Sequence, residues 1–396
     1  MRGVSDGATT TLVAAQWAAT RRPYKKMVFT SKDGLTTYDF STDSAAYGDR
    51  ILGIDHWEEY SESGGGAIIT LNNYDSTVPD LKGYWVEIGH GLNTGTVAVP
   101  VYEYTLTARL WVKYQTNIWY RGNYIVILEL EDFFARMKEI KIHLWDAGQK
   151  APYYYFSNFD GAFGLGSMTI YHLIKTFINN ETSGDSTSKF LSADITLENA
   201  TMDSIIDVWK PPFVVNEDNG KYETLLQVVT RLLEYTACFL VIKPSNAILI
   251  VYPAGSTTPD ITYYRDTSPQ YTSFIEKTSL VTPNKINVFA NANDEGYEDE
   301  EGLWHPKYVY YTEQPEGEDP VKIFKTGSYE NTDETAKYEE VIEFVQKPDI
   351  TEQAKADVAA EVIALHRQPT GAVGRVVVRH DCRVELYDRI TVNTNA

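Results

Sequence analysis

The side chains with the most chemical potential in this chain are seven histidines and two cysteines, and their spacing limits what they can do. His56, His90, His143, His172, His305 and His366 stand apart from any thiol. Only His380-Asp381-Cys382 sets an imidazole two residues from a thiol, which places both on one face of a strand. A structural zinc centre needs four ligands, and no second pair accompanies this one. The run reads as a strand histidine beside a buried thiol. Asp55-His56-Trp57-Glu58-Glu59 puts carboxylates next to an imidazole, but acid–base catalysis needs a geometry across strands that such a run does not supply. Gly161-Ala162-Phe163-Gly164-Leu165-Gly166 is glycine-rich and precedes a helical pattern. It lacks the Lys-Ser/Thr pair and the strand–loop–helix setting of a phosphate loop. The 55 Asp and Glu, with many aromatics, contain the parts of a glycan hydrolase, although an acidic surface accounts for them more simply. The chain therefore reads as non-enzymatic, with no catalytic residue, no cofactor and no metal site.

The formal charge of −20 argues against a general nucleic-acid binder, which needs Lys and Arg to displace counterions. Its distribution is uneven. Residues 1–26 carry Arg2, Arg21, Arg22, Lys25 and Lys26 against Asp6, a net of +4. From Asp294 to Glu343, 16 acidic residues face 4 lysines, a net of −12. Cys238 and Cys382 form no spacing motif, which points to a reducing compartment. The opening Met1–Gly7 has no signal-peptide core, and no apolar run reaches the ~20 residues that span a bilayer. The expectation is a soluble, unsecreted protein without membrane insertion.

These residues are carried by two strand-patterned blocks with a helical stretch between them. Gly83–His90, Leu106–Gln115 and Tyr124–Phe134 are short runs rich in β-branched and aromatic residues, bounded by Gly, Asn or Thr. Met27–Phe40 reads as a hairpin turning at Asp33-Gly34. Ile51–Tyr60 and Ala67–Leu71 add strands separated by a flexible Gly64-Gly65-Gly66, making six or seven strands, enough for a barrel or a sandwich. Then the period changes. Ile170, Leu173, Ile174, Phe177 and Ile178 share a helical face with Ser167 as its cap, and Met202–Trp209 predicts a short helix. Glu223–Thr236 predicts a helix that runs into a hairpin, Cys238–Lys243 and Ile248–Tyr252. Strands resume at Lys285–Ala290, Lys307–Thr312, Val321–Lys325, Gly374–His380 and Leu386–Val392. One helix interrupts them, Glu352–His366, with Ala354, Val358, Val362 and Leu365 as its stripe and Gly371 ending it. The 28 tyrosines suit either amphipathic strand faces or subunit interfaces.

Several runs, taken in order, resemble phage tail baseplate hub proteins, the trimeric part at the tip of the tail tube. They are Asp39–Leu52, Pro79–Gly89, Tyr104–Lys113, the helix–hairpin at 223–252, and Gly374–His380, spread over residues 8–396. The resemblance implies an α+β, β-rich fold in which two tail-tube-like β-barrel domains flank a mixed α/β middle domain. The parts would be a docking arm (1–26), a first barrel (27–150), a helical α+β middle (151–284) and a second barrel with one helix (285–396), truncated at its C-terminal end. Three copies would present six barrels and so adapt a six-fold tube to a three-fold tip. The implied partners are two further copies, a distal tail or tail tube protein, a tape measure protein and spike or fibre proteins. DNA would pass transiently through the ring. The location would be the virion tail tip, assembled in the host cytoplasm. On this reading Leu12, Val13 and Trp17 pack on a neighbouring subunit, with Arg21 and Arg22 facing an acidic surface. Glu298, Asp299, Glu300 and Glu301 then lie near the lumen. The competing readings are a carbohydrate- or receptor-binding tail module and a tail-associated glycan hydrolase.

Overall fold

Alternation of apolar and polar residues organises the first block in the computed structural model. It describes residues 9–17, 21–58, 64–120, 122–141, 169–179, 195–197, 205–209, 217–218, 221–244, 247–252, 259–278, 280–291, 296–298, 304–306, 324–347, 350, 353–367, 372–379, 381, 383–384 and 388–394. Helix α1 (Thr9–Trp17) precedes β1 (Pro23–Lys26), β2 (Val28–Thr30), β3 (Thr37–Asp39), β4 (Ile51–Trp57), β5 (Gly66–Asn72), β6 (Trp85–Asn93), β7 (Tyr102–Tyr120) and β8 (Asn123–Glu131). The strands form one antiparallel sheet in the order β3-β2-β6-β7-β8-β5-β4, with β1 also on β6. The β2–β3 hairpin turns at Asp33-Gly34 as expected, Gly34 taking a φ of 74°. In β8, Val126, Leu128 and Leu130 point inward and Glu129 outward, the period of two that a half-buried strand requires. They close on Met27, Phe29, Phe40, Ile69, Leu71, Val86 and Ile88.

The sheet curls until its ends meet through side chains. Lys25 Nζ on β1 donates to the Ile51 carbonyl of β4 at 3.2 Å, and the rings of His56 and His90 lie 6.1 Å apart. Among the described residues no strand pair closes the ring. Sequence pattern carried the last strand through Phe134, but β8 stops at Glu131 and helix α2 (Phe133–Glu139) begins. The reason is Asp132, whose Oδ1 accepts from Ala135 N–H at 2.8 Å and whose Oδ2 accepts from Gly65 N–H at 2.5 Å. Gly64–Gly66 is accordingly no loose spacer. A Cβ on Gly65 would lie 2.7 Å from the Trp57 carbonyl, and one on Gly66 2.5 Å from that of Leu130.

The middle of the chain supplies α3 (Ile170–Asn179), β9 (Ile195–Leu197), β10 (Glu217–Asp218), β11 (Lys221–Tyr222), α4 (Leu225–Leu233), β12 (Phe239–Ile242) and β13 (Ile248–Val251). The apolar face foreseen for α3 is buried. Thr169, whose Oγ1 accepts from His172 N–H, occupies the capping position, while Ser167 lies outside the described residues. Of the predicted helix at Met202–Trp209, only 205–209 is described, and it is a turn in which Val208 and Trp209 N–H both donate to the Ile205 carbonyl. Helix α4 begins with a reciprocal box. Thr224 Oγ1 accepts from Gln227 N–H, and Gln227 Oε1 accepts from Thr224 N–H. β12 and β13 form the expected hairpin, extended by β9 in parallel.

The last block contains β14 (Ile261–Tyr264), β15 (Tyr271–Thr278), β16 (Lys285–Asn291), β17 (Gly296–Glu298), β18 (Trp304–Pro306), β19 (Phe324–Glu330), α5 (Thr332–Thr335), β20 (Ile342–Lys347), α6 (Gln353–Arg367), β21 (Ala372–Val378) and β22 (Ile390–Asn393). Among the described residues these strands fall into four small sheets: β14-β22, β15-β21, β17-β18 and β19-β16-β20. The predicted strand Lys307–Thr312 and Gly371 lie outside the described residues. Helix α6 turns Ala356, Ala359, Ala360, Val362 and Ala364 inward. The expected stripe was misplaced, since Ala354 is exposed and Val358 and Leu365 are only half-buried. Small residues win that face because the helix lies against β19 so closely that a Cβ on Gly327 would sit 2.0 Å from the Ala356 carbonyl oxygen. Ile286, Val288 and Ala290 of β16 join these alanines, α3, α4 and Trp111 in one continuous core. The fold is thus α+β and rich in strand.

Candidate assembly surfaces

Strand β7 has 19 residues and outruns its neighbour β6. Their ladder ends at Trp85↔Trp111, beyond which Val112 exchanges hydrogen bonds with the Gly83-Tyr84 backbone. Gln115 covers the next step with its side chain. Its Oε1 accepts from Leu81 N–H at 2.8 Å, and its Nε2 donates to the Pro79 carbonyl at 3.1 Å. From Thr116 to Tyr120 the strand has β8 on one side and, among the described residues, no strand on the other. Two large rings are exposed on the arm beside Thr116 and Asn117. Trp119, opposite Tyr124 with ring centroids 5.8 Å apart, is 70% exposed, and Tyr114 is 56% exposed. In a chain of 55 acidic residues, the stretch Tyr114–Leu128 has none, and its one charged residue is Arg121. Loss of charge with retention of Tyr, Trp and Arg is the composition of an interface centre.

A second free edge belongs to β20, whose described partner is β16 alone. Its Val345 packs on the core while Ile342 and Phe344 project the other way, 39% and 63% exposed. The Phe344 ring stacks on Phe289 at 5.8 Å. Just before the strand, Lys285 Nζ pairs with Glu340 at 2.6 Å, and that bond raises the Lys285 pKa.

The residues singled out from sequence are distributed as follows. Leu12 of α1 is fully buried against Leu92 of this chain's own β6, together with Ala15. For Val13 the structure describes only its place in the helix, and Trp17 is half-buried. Arg21 and Arg22 are exposed, Arg22 Nη1 donating to the Gly95 carbonyl at 3.2 Å. Glu298 ends β17, opposite Trp304, while Asp299, Glu300 and Glu301 lie outside the described residues. His56 Nε2 is 3.6 Å from Glu58 Oε1, Asp55 is exposed, and Glu59 lies outside the described residues. So do Gly161–Gly166, His380 and Cys382. Asp381, between the last two, is committed elsewhere. Its buried carboxylate takes both Nε and Nη2 of Arg383, at 2.9 and 2.6 Å. Beside it, burial and that carboxylate push the Tyr263 hydroxyl well above its usual range. Among the described residues no group of three or more His, Cys, Asp or Glu is placed to hold a metal, and no helix is long and apolar enough to cross a membrane.

Sequence reading missed one charged feature on the outer face of β6 and β7. The Arg109 guanidinium lies 3.8 Å from the centre of the Trp85 ring and 3.8 Å from Glu87 Oε1, and burial lowers its pKa. Arg136 of α2 covers Trp111 in the same way at 4.9 Å. These cations shield two tryptophans where the sheet meets the second core. Only the cross-strand register Trp85↔Trp111 and Glu87↔Arg109 brings them together.

No protein-family model matches the chain, and no curated protein matches it in sequence. Solved structures do share its architecture. The tail protein from Neisseria meningitidis MC58 aligns with a TM-score of 0.57 at 12% identity, over 94% of this chain and 87% of its own. The 43 kDa tail protein of prophage MuSo2 from Shewanella oneidensis aligns with a TM-score of 0.52 at 10% identity, over 93% and 88%. Across nearly its whole length, then, the chain has a fold found in tail proteins.

Proposed function

We propose that this chain is a structural component of a phage-type tail, the hub at the tip of the tail tube, and that it works as a closed homotrimer. The observation that carries the reading is the fold shared with two tail proteins over more than nine-tenths of the chain. Physical chemistry supports assembly. Two-stranded sheets such as β14-β22 and β15-β21 are marginal alone in water, and free edges such as those of β7 and β20 invite pairing unless covered. A symmetric ring covers equivalent edges in every copy. In this reading the curled first sheet and the last β block act as two barrel-like units per subunit, six in the ring. They would join a six-fold tube to a three-fold tip between tube, tape measure and fibre proteins. DNA passing through meets a chain of charge −20, which does not hold a polyanion as a basic lumen would. Glu298–Glu301 would line that passage. Exposed Arg21 and Arg22 would contact a neighbour's acidic surface, and no catalytic turnover is assigned. Light scattering should give three chains per particle, and negative-stain images a ring with a central opening. A monomer at micromolar concentration, with no ring in tail particles, overturns the reading.

A further inference from the structure

We infer that the free edge of the β7–β8 arm in one copy pairs with the free edge of β20 in the next. β20 ends its sheet, and the last five residues of β7 run on past β6 with β8 as their one described partner strand; a run of unpaired backbone donors and acceptors is satisfied most simply by another strand. Their lengths match: five residues from Thr116 to Tyr120 against six in β20, each about 17–20 Å of strand. Their surfaces also match. The arm offers Trp119, set against Tyr124, with no acidic residue from Tyr114 to Leu128. β20 offers Ile342 and Phe344, extended by exposed Tyr338 and Val341.

The two edges are different surfaces of one chain, so their pairing is head-to-tail. Repeated with rotation it closes into a ring in which no copy retains either edge uncovered. The aromatic pair Trp119–Tyr124 would then meet the stacked Phe289–Phe344 pair, an anchor of the kind that dominates interface energetics. The inference takes only its stoichiometry from the trimer proposed above.

The test separates the two ideas. Trp119→Cys and Phe344→Cys chains with different affinity tags are co-expressed, so a bridge between these positions can form only between copies. Treatment with a short bismaleimide should give a product bearing both tags, absent when either variant is mixed with wild type, which carries the native Cys238 and Cys382. The double variant should give a ladder ending at three chains. No two-tag product from a particle that light scattering shows to be trimeric overturns the edge pairing and leaves the hub reading standing. A two-tag product with a ladder ending at two chains, or running on without limit, supports the pairing and overturns the trimer. Protection of Trp119 that requires a different tail protein assigns the arm to that protein and overturns the inference. Trp119→Glu, an exposed substitution that leaves the core untouched, should abolish assembly while the circular dichroism spectrum stays that of the wild type. Assembly that survives it also counts against the pairing.

Discussion

Gly327→Ala should destabilise the sheet–helix layer that carries β20 by about 3 kcal/mol, at the upper end of what overpacking a tight interior does. The added Cβ would fall 2.0 Å from the Ala356 carbonyl oxygen, 2.1 Å from its carbon and 2.6 Å from Asp357 N. All three are backbone atoms, so no rotamer change relieves the clash. Ordinary contact resumes at 3.4 Å, so α6 must retreat by about 1.4 Å from β19. A gap of ~0.5–1 Å already forfeits a quarter to a half of a dispersion contact, and Ala356, Ala359, Ala360 and Ala364 are too short to bridge it. The assay is urea unfolding followed by circular dichroism, where the loss should lower the midpoint by roughly 1 M, taking a slope of about 3 kcal/mol/M. Gly53→Ala is the control. A Cβ there meets nothing within 4 Å, so the change should stay within about 0.5 kcal/mol. A Gly327→Ala protein with a wild-type midpoint would refute the claimed helix approach. Equal damage from Gly53→Ala would refute its steric cause.

Two smaller perturbations address the caps that orient the helices. Thr224→Ala removes one side of the reciprocal box on α4 and should cost about 1 kcal/mol, with Thr224→Ser restoring most of it in the same urea assay. Asp132 has its pKa raised above the ordinary 3.8, chiefly by burial, although N–H bonds from Ala135 and Gly65 oppose the shift. A raised carboxyl contributes stability below the unfolded value and loses it as pH climbs through the folded value. The stability of wild type relative to Asp132→Asn should therefore fall as pH rises just above 3.8, then level off; a difference that grows with pH over that window would refute the assignment.

Wherever burial follows a simple period, the sequence was enough to locate the elements. Ile170, Leu173, Ile174, Phe177 and Ile178 repeat at helical spacing and are buried together, and alternation in β8 locates its inward face. The failures share a physical cause, which is close approach of backbone. Helix α6 buries alanines rather than the larger residues of its expected stripe because Gly327 admits the helix so near. Gly64–Gly66 looked like a spacer because a chain does not announce what a missing Cβ makes room for, here the Asp132 cap and the carbonyls of Trp57 and Leu130. The arm was partly legible. Tyr114 and Tyr124 were read as strand residues, but the strand was ended at Gln115, short of Trp119, and the free edge depends on the β6–β7 ladder stopping at Trp85, a matter of register between distant segments.

The same distinction bears on how little identity the fold requires. At 10–12% identity over more than nine-tenths of the chain, most side chains differ while the fold is shared. Cores tolerate this when volume and pattern are kept, and the core of the first sheet is held by Ile, Leu, Val, Phe and Met positions that many apolar residues can fill. Positions such as Gly327 and Gly66 are less free, because any side chain there must displace backbone. The surface obeys a different constraint. Trp119 meets Tyr124 across the strand pair, with ring centroids 5.8 Å apart, and is otherwise 70% exposed. That pair contributes roughly 0.2–1 kcal/mol to one copy, while the exposed remainder of the ring, beside an unpaired strand edge, raises its tendency to associate. Covering by another chain would bury that remainder, which is why the proposed contact is tested at Trp119.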